Sequence, residues 1–413
     1  MNILYIDHYA GSLQMGMEFR PYYFAREWEK MGHHVRIVGA SYSHLRKKNP
    51  AVKKDFEIQS IEGAEFQWIK TRAYNKNDLA RAITMVEFCT KLQAKAKDIA
   101  FEFKPDVIIA SSTYPLDTFP AQKIKKYAPK AILIHEIHDM WPLTPIEMYG
   151  MSPKHPFVMA MQIGENSFCK HSDRVVSVLP GAADYLVEHG MQRDKFFYIP
   201  NGIILDDWNE PDPLPHDHII KLQQAKEEGR FIIGFFGSHT KSYNLDVLLQ
   251  AAKRIEPQKV FLAFVGSGMY KEELQRMAVD IGLDKNSYAF MQPVSKKEIP
   301  SLIHELDASY VSVQKNGLNR FGIGMNKLFD AMMGGKPLLY AVEACNNFAL
   351  EYNCGISVKA EDVEALEKGI RSLIDMPEEE RRVMGENGKR AVLENFNYPV
   401  IAKRFADVFN IKR

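Results

Sequence analysis

Two Rossmann-like domains in tandem, each a doubly wound parallel sheet with helices on both faces, are what this sequence predicts. Three features carry the α/β prediction. The strand-like runs are continuously apolar instead of alternating, as strands covered on both faces are. They alternate with helical patterns almost from end to end, which is the βαβ rhythm. The chain has 413 residues, too many for one core and natural for two. Between the halves, residues 208–217 (Trp-Asn-Glu-Pro-Asp-Pro-Leu-Pro-His-Asp) carry prolines and acids with no period and read as a linker. The expected domains are therefore 1–207 and 208–396.

In the first half the expected strands are 2–7, 35–39, 107–111, 132–137, 175–179 and 196–199, with helices such as 21–31 and 86–103 between them. In the second half the strands are 231–236, 260–265, 288–291, 308–313 and 338–341. Helices are expected at 245–255, 271–281, 298–306, 362–374, 378–395 and 399–410. Ligands of such sheets sit at the carboxyl ends of the strands. Two facing halves would form a cleft, a usual place for a small molecule.

The net charge of +1 gives no global pull toward nucleic acid. Four scattered cysteines, without Cys-x-x-Cys or metal-ligand spacing, read as reduced thiols of a cytosolic protein. The amino terminus runs straight into a strand pattern and lacks the basic region of a signal peptide. No run approaches the ~18 apolar residues of a membrane span.

The densest chemical signal is 320–337, Arg-Phe-Gly-Ile-Gly-Met-Asn-Lys-Leu-Phe-Asp-Ala-Met-Met-Gly-Gly-Lys-Pro. It reads as a glycine loop (Gly322, Gly324, Met325) entering a helix that opens on Asn326 and Lys327, with Asp330 about one turn on. Glycines and free N–H groups at a helix start favour a phosphate, Lys327 adds a full positive charge, and Asp330 could hold sugar hydroxyls. Taken alone, the stretch fits equally well a plain loop–helix–strand unit.

Other candidates follow strand ends. After the first strand, the loop 8–20 carries Gly16, Glu18 and Arg20 but no G-x-G-x-x-G, which disfavours a dinucleotide. His138 and Asp139 end the 132–137 strand. A histidine there can donate to a phosphate or a sugar hydroxyl, and no nucleophile elbow accompanies it. Gly237, Ser238 and Lys241 follow one strand of the second half and Gly266 the next; Lys241 could pair with the same diphosphate as Lys327. The basic cluster 44–54 reads first as a solvated loop, and in the sharper reading as contact with membrane headgroups. No two aspartates are separated by one residue, so no metal-binding Asp-x-Asp is present and no metal is expected.

With Gly16 and Glu18, His138 and Asp139, Pro-Asn-Gly at 200–202 and Asn326 to the Gly-Lys-Pro at 335–337, the chain resembles the GT-B-fold retaining glycosyltransferases called group 1 or family 4. It is similar in particular to bacterial aminosugar transferases of O-antigen and capsule assembly. The resemblance covers nearly the whole chain. It implies a UDP-linked, N-acetylated sugar as co-substrate without metal, a glycan or lipid-linked glycan acceptor, and a cytoplasmic site of action, at most peripheral on the membrane. It implies donor binding in the second half, with Lys327, Lys241, His138 and the 322–326 backbone on the leaving diphosphate. Glu18, Arg20 and Asp139 would line the acceptor side, and the closing helix, 397–413, would cross back to the first domain. One departure stands out: the family often has two glutamates around the donor loop, and this chain has Gly322 and Asp330 there. A sugar-nucleotide epimerase and a catalytically inert nucleotide-sugar binder are the other classes that fit the scaffold.

Overall fold

The structure is a computed structural model that describes residues 1–16, 18–74 and 79–410. Met17, in the first glycine loop, and 411–413, at the end of the expected closing helix, lie outside the described residues. The chain divides into two compact units: residues 1–200 with 398–413, and residues 201–397.

The first unit holds an eight-stranded sheet. Its strands are β1 (Asn2–Ile6), β2 (His34–Ala40), β3 (Glu57–Ile61), β4 (Ala64–Ile69), β5 (Val107–Ala110), β6 (Ile132–Ile137), β7 (Arg174–Ser177) and β8 (Phe196–Tyr198). Their order is β3-β4-β2-β1-β5-β6-β7-β8. Only the β3–β4 hairpin is antiparallel; the other pairings described are parallel. The sequence reading omitted this hairpin. In β3, at the sheet's edge, partly buried and exposed residues alternate, so it lacks the apolar run that marks the interior strands. The expected helix 86–103 is instead two, Leu79–Ala94 and Ala96–Phe103, parted at Lys95. The helix Tyr398–Asn410 packs on Arg20–Lys30 of this unit: Trp28 Nε1 donates to the Ala402 carbonyl at 3.0 Å, and Phe405 and Phe409 lie edge-on to the Trp28 ring.

The second unit holds six parallel strands, β9 (Phe231–Phe236), β10 (Val260–Val265), β11 (Tyr288–Met291), β12 (Ala308–Ser312), β13 (Leu338–Ala341) and β14 (Gly355–Ser357). The order β11-β10-β9-β12-β13-β14 reverses direction between β9 and β12. Such a reversal opens a crevice beyond the strands' carboxyl ends. β9 and β10 are buried at every residue, which accounts for their uninterrupted apolar sequence.

Residues 208–217 are not a free linker. The division falls after Pro200, and Ile203 already donates to the Phe396 carbonyl at 2.9 Å inside the second unit. Leu214 is buried and Trp208 packs against the second unit's core, while the Asp212 backbone bonds Lys297 and Ser301. The prolines bar regular structure without preventing burial of the apolar residues among them.

Candidate functional site

In the second unit a cavity of about 350 Å³ opens at the carboxyl ends of β9, β10 and β11. Gly237, Ser238 and Gly266 line it, together with Pro293, Lys296 and Ile299, and with Lys327 and Asp330 from the helix Asn326–Met333. Glycine is required where the first two loops meet. Gly237 and Gly266 have φ of +127° and +151°, and a Cβ on Gly266 would stand 1.9 Å from the Gly237 carbonyl oxygen. A Cβ on Gly237 would stand 3.0 Å from Lys327 Nζ, so the bare backbone lets the amine reach the cavity.

Lys327 is placed by aromatic rings. Its Nζ lies 3.3 Å from the centre of the Tyr243 ring and 4.4 Å from that of Phe235. Although the residue as a whole is only half-buried, Nζ is out of water and has no hydrogen-bond partner. Burial pushes its pKa down to about 7. His239 is fully buried with both ring nitrogens unpartnered; burial first, then the charges of Lys271 and Lys327, push it down to about 4. Asp330 is held by Lys296, whose Nζ is 2.6 Å from each carboxylate oxygen.

The glycine loop ahead of the helix is fastened twice. Asn346 accepts from the Ile323 N–H at 2.9 Å and donates to its carbonyl at 2.8 Å. Asn201 donates to the Gly324 carbonyl at 2.7 Å, a use the Asn-Gly turn signal did not reveal. Gly322 takes φ +101°. Met325 precedes the helix without a side-chain cap, leaving the first-turn N–H groups of Asn326 and Lys327 without one. Gly322, Gly324, Met325 and Asn326 belong to this loop and helix start, not to the cavity lining.

Lys241 does not join them. Its side chain is 70% exposed, 3.7 Å from Glu273 and over the Tyr270 ring. The short helical turn Lys241–Tyr243 turns Tyr243, not Lys241, toward Lys327. A groove of about 440 Å³ also exists by Phe261 and Tyr288, at the starting ends of β10 and β11, away from these loops.

In the first unit the strand ends meet around Glu136. Arg20 donates to Glu136 Oε1 from Nε and Nη2 at 3.0 and 2.8 Å, and to the Ile199 and Pro200 carbonyls. Glu136 Oε2 accepts from Tyr5 and from Ser111. Burial works against the Glu136 charge, but Arg20, His138 and these hydrogen bonds outweigh it and hold the carboxyl below its usual range. Ser111 Oγ also lies 2.7 Å from His138 Nε2. Burial pulls His138 below the ordinary histidine value, with Glu136 acting the other way.

Two residues expected on the acceptor side are consumed by the fold. Arg20 is buried with its guanidinium committed to Glu136 and two carbonyls, so it is not a surface contact. The Asp139 carboxylate accepts from the Met140 N–H, Thr144 Oγ1 and Trp141 Nε1 and closes the local turn. Glu18 stands at φ +46°, its carbonyl accepting from Gly11 N–H, and Gly16 turns at φ +85° against the Lys47 side chain. In the basic cluster, Arg46 is buried, donating to the Ala10 and Ala40 carbonyls, whereas Lys47, Lys48, Lys53 and Lys54 are exposed. Among the described residues, no group of three or more acidic, histidine or cysteine side chains is arranged to hold a metal ion. No described helix is long and apolar enough to cross a membrane.

Glu136, Ser111, Asn346 and Lys296 carry no functional signal in the sequence. Each is an ordinary residue in its local sequence, and only the meeting of distant strand ends gives it a partner. Tyr243 does carry a signal: Lys241 is offset from the family's usual lysine, and Tyr243 is the position that aligns with it.

Comparison with known proteins gives a family for both units. Residues 218–391 match the model of glycosyl transferases group 1, and residues 15–202 match that of the glycosyl transferase 4-like domain. The putative colanic acid biosynthesis glycosyl transferase WcaI of Escherichia coli K12 is 25% identical over 52% of this chain and 52% of its own. The probable glycosyltransferase WbjE of Pseudomonas aeruginosa is 22% identical over 64% of this chain and 63% of its own. The chain thus spans about half to two thirds of these curated relatives. The crystal structure of Anabaena HepE in complex with UDP superposes with a TM-score of 0.69 at 17% identity, over 99% of this chain and 100% of that one. That likeness establishes the GT-B fold.

Proposed function

The chain belongs to the group 1 glycosyltransferases, and from the cavity around Lys327 we propose that it is a retaining transferase using a UDP-linked sugar. One observation carries the reading: an amine out of water, without a carboxylate partner, set between two glycine turns and the start of a helix. Such a group has no stabilising counterion of its own, and a diphosphate supplies one. The helix on whose first turn Lys327 stands adds its dipole to the attraction for the same charge. On cleavage of the sugar–phosphate bond, negative charge grows on the leaving UDP, and Lys327 stabilises it. Asp330, steadied by Lys296, is the acceptor for ribose hydroxyls. The uridine reading is supported by the UDP complex of the structurally similar HepE.

The sugar moved is an N-acetylated one, as the sequence resemblance implies, and the acceptor a glycan or lipid-linked glycan of surface polysaccharide; the name of the relative WcaI, a colanic acid biosynthesis transferase, supports the polysaccharide context alone. The exposed lysines of 47–54 suit contact with anionic headgroups where such an acceptor resides. Without a carboxylate at Gly322, retention proceeds by attack on the face the UDP leaves.

Thermal stabilisation by UDP, GDP and NAD, each with and without EDTA, tests the donor. Stabilisation by UDP, unchanged by EDTA and lost in Lys327→Met, is expected. Equal UDP binding by Lys327→Met removes the lysine from the site. Transfer or hydrolysis of a UDP-sugar then separates a transferase from an inert binder.

A further inference from the structure

The four polar groups around His138 leave one consistent arrangement of protons. Glu136 is ionised and only accepts; Arg20 occupies Oε1, and the Tyr5 hydroxyl points at Oε2. Ser111 Oγ is 2.6 Å from the same Oε2. Two oxygens that close, one of them a carboxylate, share a proton; with the Tyr5 proton donated to Oε2, Ser111 supplies the one between them. Having given its proton to Glu136, Ser111 can meet His138 Nε2, 2.7 Å away, only as an acceptor. Nε2 therefore carries the hydrogen. A hydroxyl that held its proton toward the imidazole would leave the Ser111 and Glu136 oxygens facing each other unbridged.

The other ring nitrogen is then fixed. Burial disfavours the charged form of His138 and lowers its pKa, against the pull of Glu136 3.6 Å away, so the ring is taken in its neutral form. A neutral imidazole with hydrogen on Nε2 has a lone pair on Nδ1. No described residue is hydrogen-bonded to Nδ1, and the side chain keeps 14% of its surface exposed. Of the other carboxylates that act on the ring, Asp139 is taken up by Met140, Trp141 and Thr144, and Glu18 acts through space without a hydrogen bond to it.

We propose that Ser111 is a positioning residue that locks His138 as the Nε2–H tautomer, so that Nδ1 accepts a hydrogen bond from a sugar hydroxyl. This departs from the diphosphate-stabilising role the sequence suggested for His138, since a lone pair repels a phosphate oxygen. The sugar half of the proposal rests on the glycosyl-transfer reading; the tautomer does not.

Protein labelled with 15N-histidine, its His138 signals assigned by loss in His138→Asn, reads the tautomer through two-bond proton–nitrogen correlations at pH 7.5. Wild type should show Nδ1 as the unprotonated nitrogen. Ser111→Ala should show both tautomers, with turnover down about tenfold, the equivalent of one hydrogen bond, and UDP affinity unchanged. Ser111→Thr, which keeps the hydroxyl, should restore the single tautomer and the turnover. Hydrogen on Nδ1 in wild type overturns the proposal, and so does a Ser111→Ala protein with one tautomer and full turnover. If the tautomer is as stated but no UDP-sugar turns over, the transferase reading fails and the proton arrangement stands.

Discussion

Arg20 in the first unit and Lys327 in the second are both cations drawn out of water, and their surroundings differ in kind. Arg20 has a carboxylate and two carbonyls on its guanidinium, and its partner Glu136 is itself met by two hydroxyls. Every charge there has an opposite. Among the described residues the Lys327 amine meets only the faces of two rings, which attract a cation by about 0.5–2 kcal/mol, far less than a buried ammonium loses on leaving water. A satisfied pair fixes a strand end in place. An unsatisfied cation marks a place where an anion is to come. The same fold thus uses one buried charge for architecture and holds another open for a ligand.

Removing each charge should break this contrast most plainly. Arg20→Met leaves Glu136 buried and uncompensated, and should cost about 3–5 kcal/mol of first-unit stability in urea unfolding. Lys327→Met removes a charge that nothing compensates, so stability without ligand should hold or rise, while UDP affinity falls by about 1.5–3 kcal/mol, measured by calorimetry. A Lys327→Met protein as damaged as Arg20→Met would show that the two sites are alike after all.

Backbone geometry sharpens the second half of the comparison. Gly266→Ala puts a methyl 1.9 Å from the Gly237 carbonyl oxygen, and should cost about 1–3 kcal/mol of second-unit stability by local strain, with weaker UDP binding. Wild-type behaviour there would mean that the two turns are free to part.

The proton balance of Lys327 gives a smaller effect. With its pKa near 7 in the ligand-free protein, a bound diphosphate should raise it. Binding at pH 7 should then take up about half a proton, read from calorimetry in buffers of different ionisation enthalpy. The sign follows: below pH 7 the amine is already charged, and above it affinity should fall as more amine must be protonated. No uptake would mean that the lysine is charged throughout. The smallest effect belongs to Lys241→Ala, which should change stability and UDP affinity by less than about 0.5 kcal/mol, because its side chain is exposed and its ion pair wet.

The helix Asn326–Met333, its glycine loop and nearly every interior strand could be read from the sequence, because buried parallel strands and helix starts leave local signatures in apolar runs, glycines and caps. The edge hairpin β3–β4 left a weaker one. Lys327 was legible because it follows those glycines. Tertiary structure alone decided which charged groups are spent and which are free. Arg20 and Asp139 looked open in sequence and are consumed by Glu136 and by a turn. Lys241 looked like a partner of Lys327 and faces Glu273. Tyr243, which by resemblance aligns with the family's usual lysine, seats the amine of Lys327 instead. Local sequence sets backbone conformation, whereas the state of a charge depends on which residues the folded chain brings within hydrogen-bonding distance, from the next turn for Asp139 or from 116 positions away for Arg20 and Glu136.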